Sequence, residues 1–217
     1  MKTLFLLSLF TIGSLPAWGG CNQEFPICGT PPGPRYFPPQ ERQDYGTAGC
    51  ELRIKLPAQM RIDGQDQCLL YIKNLGTDPV TLVAPGDGSA AGRRTPTLVW
   101  SFLPSDSWES HPGVASGGDG GCGNINRLEP KEVFQLASGE EKELACWHLF
   151  AGNMEPGNYR VRLYYDNIPD MEWSGVVLPP HDVDAMQRVR NSTPVSLVSN
   201  EVEVEVLPTP PVTPAGD

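Results

Sequence analysis

Between residues 51 and 206, apolar side chains return at every second position in seven short runs. Only extended chain turns that period into one dry face and one wet face. The runs are 51–56 (ELRIKL), 67–74 (QCLLYIKN), Val80 with Leu82, 97–102 (TLVWSF), 143–147 (ELACW), 159–165 and 199–206. In the second, Cys68, Leu70 and Ile72 share a face; in the fourth, Leu98, Trp100 and Phe102 do. Tyr159, Val161, Leu163 and Tyr165 oppose Arg160, Arg162 and Tyr164, and Val202, Val204 and Val206 alternate with Glu201, Glu203 and Glu205. One stretch, 182–190 (DVDAMQRVR), has helical spacing, with acids first, bases last and Val183, Met186 and Val189 as its apolar stripe. With 23 glycines and 23 prolines punctuating the strands, the pattern predicts an all-β antiparallel sandwich with one core, long loops and one short helix.

The run Met154-Glu155-Pro156-Gly157-Asn158-Tyr159-Arg160-Val161 resembles the approach to the sixth strand of immunoglobulin-like and fibronectin-like domains. The resemblance covers about 51–206 and implies an immunoglobulin-like antiparallel β-sandwich. It implies that Tyr159 hydrogen-bonds back to the preceding corner. Antibody-type domains carry a cysteine two residues after that tyrosine, where this chain has Val161, so their inter-sheet bridge is missing. The layout is also similar to secreted bacterial domains of this kind and, loosely, to bacterial proteinase inhibitors of the BsuPI type. In such a fold the second and fifth strands are neighbours in one sheet, which makes Cys68–Cys146 a candidate cross-strand disulfide. Cys50–Cys122 and Cys21–Cys28 complete one pairing of the six cysteines; other pairings, buried thiols at Cys68 and Cys146, and metal binding at irregular spacing are the alternatives.

Residues 1–20 read as a secretory signal peptide: Lys2, the apolar run 4–15 (LFLLSLFTIGSL), then small residues before Cys21. Two processing routes compete. Ala17-x-Gly19 suits a general signal peptidase, whereas Gly19-Gly20-Cys21 suits lipoprotein processing with Cys21 as the lipidation candidate. An even cysteine count favours the first, because lipidating Cys21 leaves five. The expected location is exported, secreted or periplasmic, alternatively anchored to the membrane as a lipoprotein. Residues 21–49 form a Pro-rich N-terminal spacer with Pro26, Pro31, Pro32, Pro34, Pro38 and Pro39; 50–206 the sandwich; 207–217 a Pro-rich tail.

The net charge of −10 repels nucleic-acid phosphates and anionic lipid heads. After the leader no apolar run approaches the roughly 18 residues of a membrane span. No catalytic or cofactor motif stands out. His111 lies in a Pro/Gly-rich loop, His148 follows Trp147 at a strand end, and His181 stands beside Asp182 and Asp184. The last arrangement can tune a base or hold a cation, although both aspartates also suit a helix start. Asp87 and Asp119 are single acids between glycines, as turns require. The Glu201, Glu203, Glu205 row reads as a wet strand face that discourages edge pairing.

Departures from a minimal sandwich carry the functional signal. Insertions at 84–96, 103–133 and 166–195 bring Arg94, Trp108 and Trp173, residue types that anchor interfaces, onto loops where binding usually resides. The leading expectation is an exported, non-catalytic recognition or structural module that binds a protein or glycan through these loops, without cofactor. A secreted BsuPI-like proteinase inhibitor is the alternative, and an enzyme centred on His181 the second alternative.

Overall fold

The computed structural model describes residues 43–61, 68–90, 92–105, 124–144, 154–177 and 180–208, all within the unit Gly33–Asp217. The described strands form two larger sheets and two two-stranded ones. The first contains β1 (Cys50–Lys55), β3 (Leu69–Asn74) and β8 (Glu141–Leu144) in the order β1-β3-β8, all antiparallel. Next to it in the chain, β4 (Val80–Val83) pairs with β7 (Val133–Leu136) as a two-stranded sheet. The buried Asn74 side chain holds the join, donating to the carbonyls of Asp78 and Leu136 while its oxygen accepts from the Gly76 N–H.

The second sheet is built on β9 (Gly157–Asn167), the longest strand. Along one edge it pairs throughout with β5 (Thr97–Pro104); along the other it meets β11 (Val195–Val198) and then β12 (Val202–Leu207). β2 (Gln59–Arg61) completes the sheet, parallel to β12. The sequence does not announce β2: three residues are too few for a period, and the chain changes sheets just after Pro57. The run 199–206, expected as one strand from Ser199, becomes a strand only at Val202, with β11 a separate strand before it. Ser199 and Asn200 lie between the two strands, and the Asn200 side chain accepts from the Ile54 N–H and donates to the Ile54 carbonyl, linking β1 to the second sheet.

Both inner faces alternate as predicted. Leu52, Ile54, Cys68, Leu70, Ile72, Leu82, Leu136 and Leu144 from one sheet meet Leu98, Trp100, Phe102, Val161, Leu163, Tyr165, Val204 and Val206 from the other in one core. The fold is all-β, an immunoglobulin-like antiparallel β-sandwich, with one α-helix among the described residues. The Tyr159 hydroxyl donates to the Glu155 carbonyl at 2.8 Å, the corner bond the resemblance implies. Glu201, Glu203 and Glu205 are exposed, with Arg162 on Glu201 at 2.9 Å.

The helix α1 (Val183–Arg190) starts where its acids place it, since Asp182 accepts from the N–H groups of Asp184 and Ala185. Its inward side differs from the expected stripe. Ala185 and Val189 are buried and Met186 half-buried, while Val183 is 81% exposed. In the first turn the N-cap hydrogen bonds set the helix rotation, and Val183 falls on the outside.

Candidate functional site

The three insertions meet at one end of the sandwich, past the ends of β4 and β9. Val83, Leu128, Val133, Ala185 and Val189 form a second apolar cluster there, covered by Trp173 and Met186. The 103–133 insertion leaves β5 at the opposite end, where Pro104 faces Tyr159. It is back by β6 (Asn124–Ile125), which pairs in parallel with β10 (Val176–Val177) of the 166–195 insertion. The buried Asn167 side chain donates to Ser192 Oγ and the Thr193 carbonyl, closing that insertion at its base. The Ser174 N–H donates to the Arg93 carbonyl, tying it to the 84–96 loop.

Arg94 lies at the centre of this junction. Expected on an exposed loop as an interface anchor, it is 1% exposed. A buried guanidinium needs partners. Its Nη2 donates to Glu132 Oε1 at 3.1 Å and reaches the Ala84 carbonyl at 3.4 Å. The guanidinium carbon stands 4.9 Å from the Trp173 ring centroid, within cation–π range. Gly86 makes room for it, because a Cβ there would stand 2.4 Å from the guanidinium carbon. Glu132 is shared between Arg94 and the Glu129 N–H in a capped turn at Pro130–Glu132.

His181 joins the same group through Trp173, the two rings edge to face with centroids 4.9 Å apart. Its Nδ1 accepts from the Leu128 N–H at 2.9 Å. A backbone amide can only donate, so Nδ1 carries no proton and the neutral ring bears its hydrogen on Nε2. Burial lowers the His181 pKa, the Arg94 charge lowers it further, Glu132 raises it and Arg127 lowers it. Asp182 is engaged elsewhere, in the helix cap and with Arg127 at 3.6 Å. The imidazole is therefore set among Trp173, Arg94 and the Leu128 amide rather than between two carboxylates.

One property unites the three side chains. Arg94 Nε, Trp173 Nε1 and His181 Nε2 are buried atoms without a hydrogen-bond partner among the described residues. All three are donors, and buried donors are nearly always satisfied. Sequence reading singled out Arg94, Trp173 and His181 separately; the fold brings them together. It did not find Glu132, Gly86 or the Leu128 amide. The Glu129-Pro130-Lys131-Glu132 pattern is legible as a cap, but nothing in its spacing points to Arg94.

Other candidates are dispersed. Cys50 and Cys68 are buried in the main core, and burial raises the Cys50 thiol pKa. Cys50 faces Asn74 at one end of the β1–β3 pair, and Cys68 lies one residue beyond the Lys55–Leu69 pair at the other. That separation, on the order of 20 Å at 3.4 Å per residue, excludes a bridge between them. Asp87 is a turn residue as expected, its Oδ2 accepting from the Asn126 N–H. Cys21, Cys28, Cys122, Cys146, Trp108, His111, His148 and Asp119 lie outside the described residues.

No protein-family model matches the chain, and no curated protein matches it. Among solved structures, it is similar to the solution NMR structure of the CARDB domain of PF1109 from Pyrococcus furiosus. The TM-score is 0.29 at 15% identity, covering 75% of this chain and 97% of that one. The architecture described above is read from this chain's own strand pairings.

Proposed function

We propose that this chain is an exported, non-catalytic recognition module whose loop-bearing end engages a protein or glycan partner. The carrying observation is the convergence of all three insertions on Arg94, with three buried donors left unanswered there. A rigid sandwich supplies the platform and the loops supply the site. His181 does not favour a general-base role, because Nδ1 is occupied and Nε2 holds the proton. Export rests on the leader-like segment 1–20, with Cys21 as the alternative lipid attachment point.

The test is affinity capture from the native envelope followed by reconstitution with the purified partner. Two surface variants probe the loop end, Val183→Lys at the 81%-exposed start of α1 and Glu172→Lys beside Trp173. Glu203→Lys and Glu205→Lys on β12 probe the strand face. Binding weakened by the first pair and untouched by the second is the expected result. The reverse pattern overturns the loop-end reading.

A further inference from the structure

We propose that the Arg94–Trp173–His181 cluster takes a carboxylate, supplied by an acidic side chain of the partner. The acceptor character of the ligand follows from the chemistry of the vacant valences. Arg94 Nε, Trp173 Nε1 and His181 Nε2 can only donate, the last because the Leu128 N–H occupies Nδ1. Arg94 lies over the Trp173 ring and Trp173 meets His181 edge to face, each at 4.9 Å, so the three side chains form one contiguous group. The Gly86 backbone and the Glu132 bond hold the guanidinium in place before any ligand arrives, which limits the ordering cost of binding.

Charge selects among acceptors. At His181 the influence of Arg94 outranks that of Glu132, and Arg127 adds to it. One of the donors belongs to a guanidinium, and its charge-assisted hydrogen bond to an anion is stronger than one to a neutral carbonyl. Glu132 already offsets part of the buried cation. Each negative charge a ligand brings adds to this balanced pair, so a monoanion costs less here than a dianionic phosphate. The Trp173 ring is engaged by Arg94 and His181, so it does not lie open as a stacking platform for a sugar. An acidic peptide side chain therefore fits better than a uronic acid.

The inference rests on the recognition-module reading for the source of the carboxylate, and its test needs no macromolecular partner. In the intact protein, the Trp173 indole N–H and the Leu128 and Ser174 amides are followed by NMR during titration with sodium acetate. Sodium chloride at equal ionic strength is the control. The expected result is saturable movement of all three signals with acetate alone, at a dissociation constant on the order of millimolar, as suits a ligand of a few heavy atoms. Trp173→Phe, which removes the indole N–H together with the pyrrole ring, should weaken binding about tenfold by the Leu128 signal. N-acetylglutamate amide should bind more tightly than glucuronate. Equal response to chloride, no saturation, tighter binding of phosphate, tighter binding of glucuronate, or an unweakened Trp173→Phe each overturns the proposal. The acetate–chloride comparison in the wild type stands even if the variant does not fold. Failure of the titration leaves the loop-end reading intact, since the surface variants above test that separately.

Discussion

Two tyrosines on β9 show how position decides the worth of one hydroxyl. Tyr165 is fully buried and donates to the Val83 carbonyl at 2.6 Å, so its ionisation is pushed far up, chiefly by burial. Tyr159 donates to Glu155 at the half-wet corner. Tyr165→Phe strands a buried carbonyl and should cost about 1–3 kcal/mol, against about 1 kcal/mol for Tyr159→Phe. Urea unfolding of both variants measures the difference, and equal losses would contradict it. Gly86→Ala drives a methyl into the Arg94 guanidinium and should destabilise by about 1–3 kcal/mol, with the Trp173 indole signal displaced. His181 gives a pH dependence. Its folded-state pKa is lowered, so the unfolded chain takes up the proton first as pH falls below about 6.5. Stability contributed by the neutral ring is complete above that pH and declines from there toward the folded pKa. Unfolding midpoints at pH 7.5 and 5 should show this decline in the wild type and a smaller one in His181→Gln.

At the scale of elements, α1 depends on its cap more than on its stripe. Asp182→Ala removes the acceptor for two N–H groups and should cost about 1 kcal/mol; the exposed Arg127 pair lost with it adds little. The β3–β8 pairing bears on the cysteines. Cys68 lies two residues before Leu70, which faces Leu144, and Cys146, the partner expected for Cys68, lies outside the described residues. We propose that these two thiols are oxidised to a disulfide after export, by exchange with a disulfide-bearing oxidant that takes up the two electrons and two protons. Peptide mapping without reductant should recover 68 joined to 146. Recovery of Cys68 in any other pair, or as a thiol in the exported protein, would exclude the bridge.

For the molecule as a whole, the inserted segments are part of the fold rather than ornaments on it. Val83 and Leu128 are wholly buried and Val133 nearly so, beneath Ala185 and Val189 of α1. Deleting 167–194 removes that cover together with the Asn167 clamp. The deletion variant should therefore lose amide dispersion throughout its NMR spectrum. A well-dispersed spectrum would show that the sandwich stands without the insertion.

The alternation from 51 to 206 determined the strands, their inward residues and the sandwich, because period two leaves an extended chain one way to keep Leu98, Trp100 and Phe102 or Val161, Leu163 and Tyr165 dry. Asp182 fixed the helix start and Pro156-Gly157 the tyrosine corner, both being local hydrogen-bond chemistry. What depended on distant segments was not written in any window. The short β2, β6, β10 and β11, the break at Ser199–Asn200 and the outward turn of Val183 each answer to a partner far along the chain. Arg94 looked like a surface anchor because arginine in a Gly-rich loop usually is one. Only the tertiary fold could bury it, since its acceptor on Glu132 and its stacking ring on Trp173 come from 38 and 79 residues away, and a contact at that distance leaves no local periodicity to read.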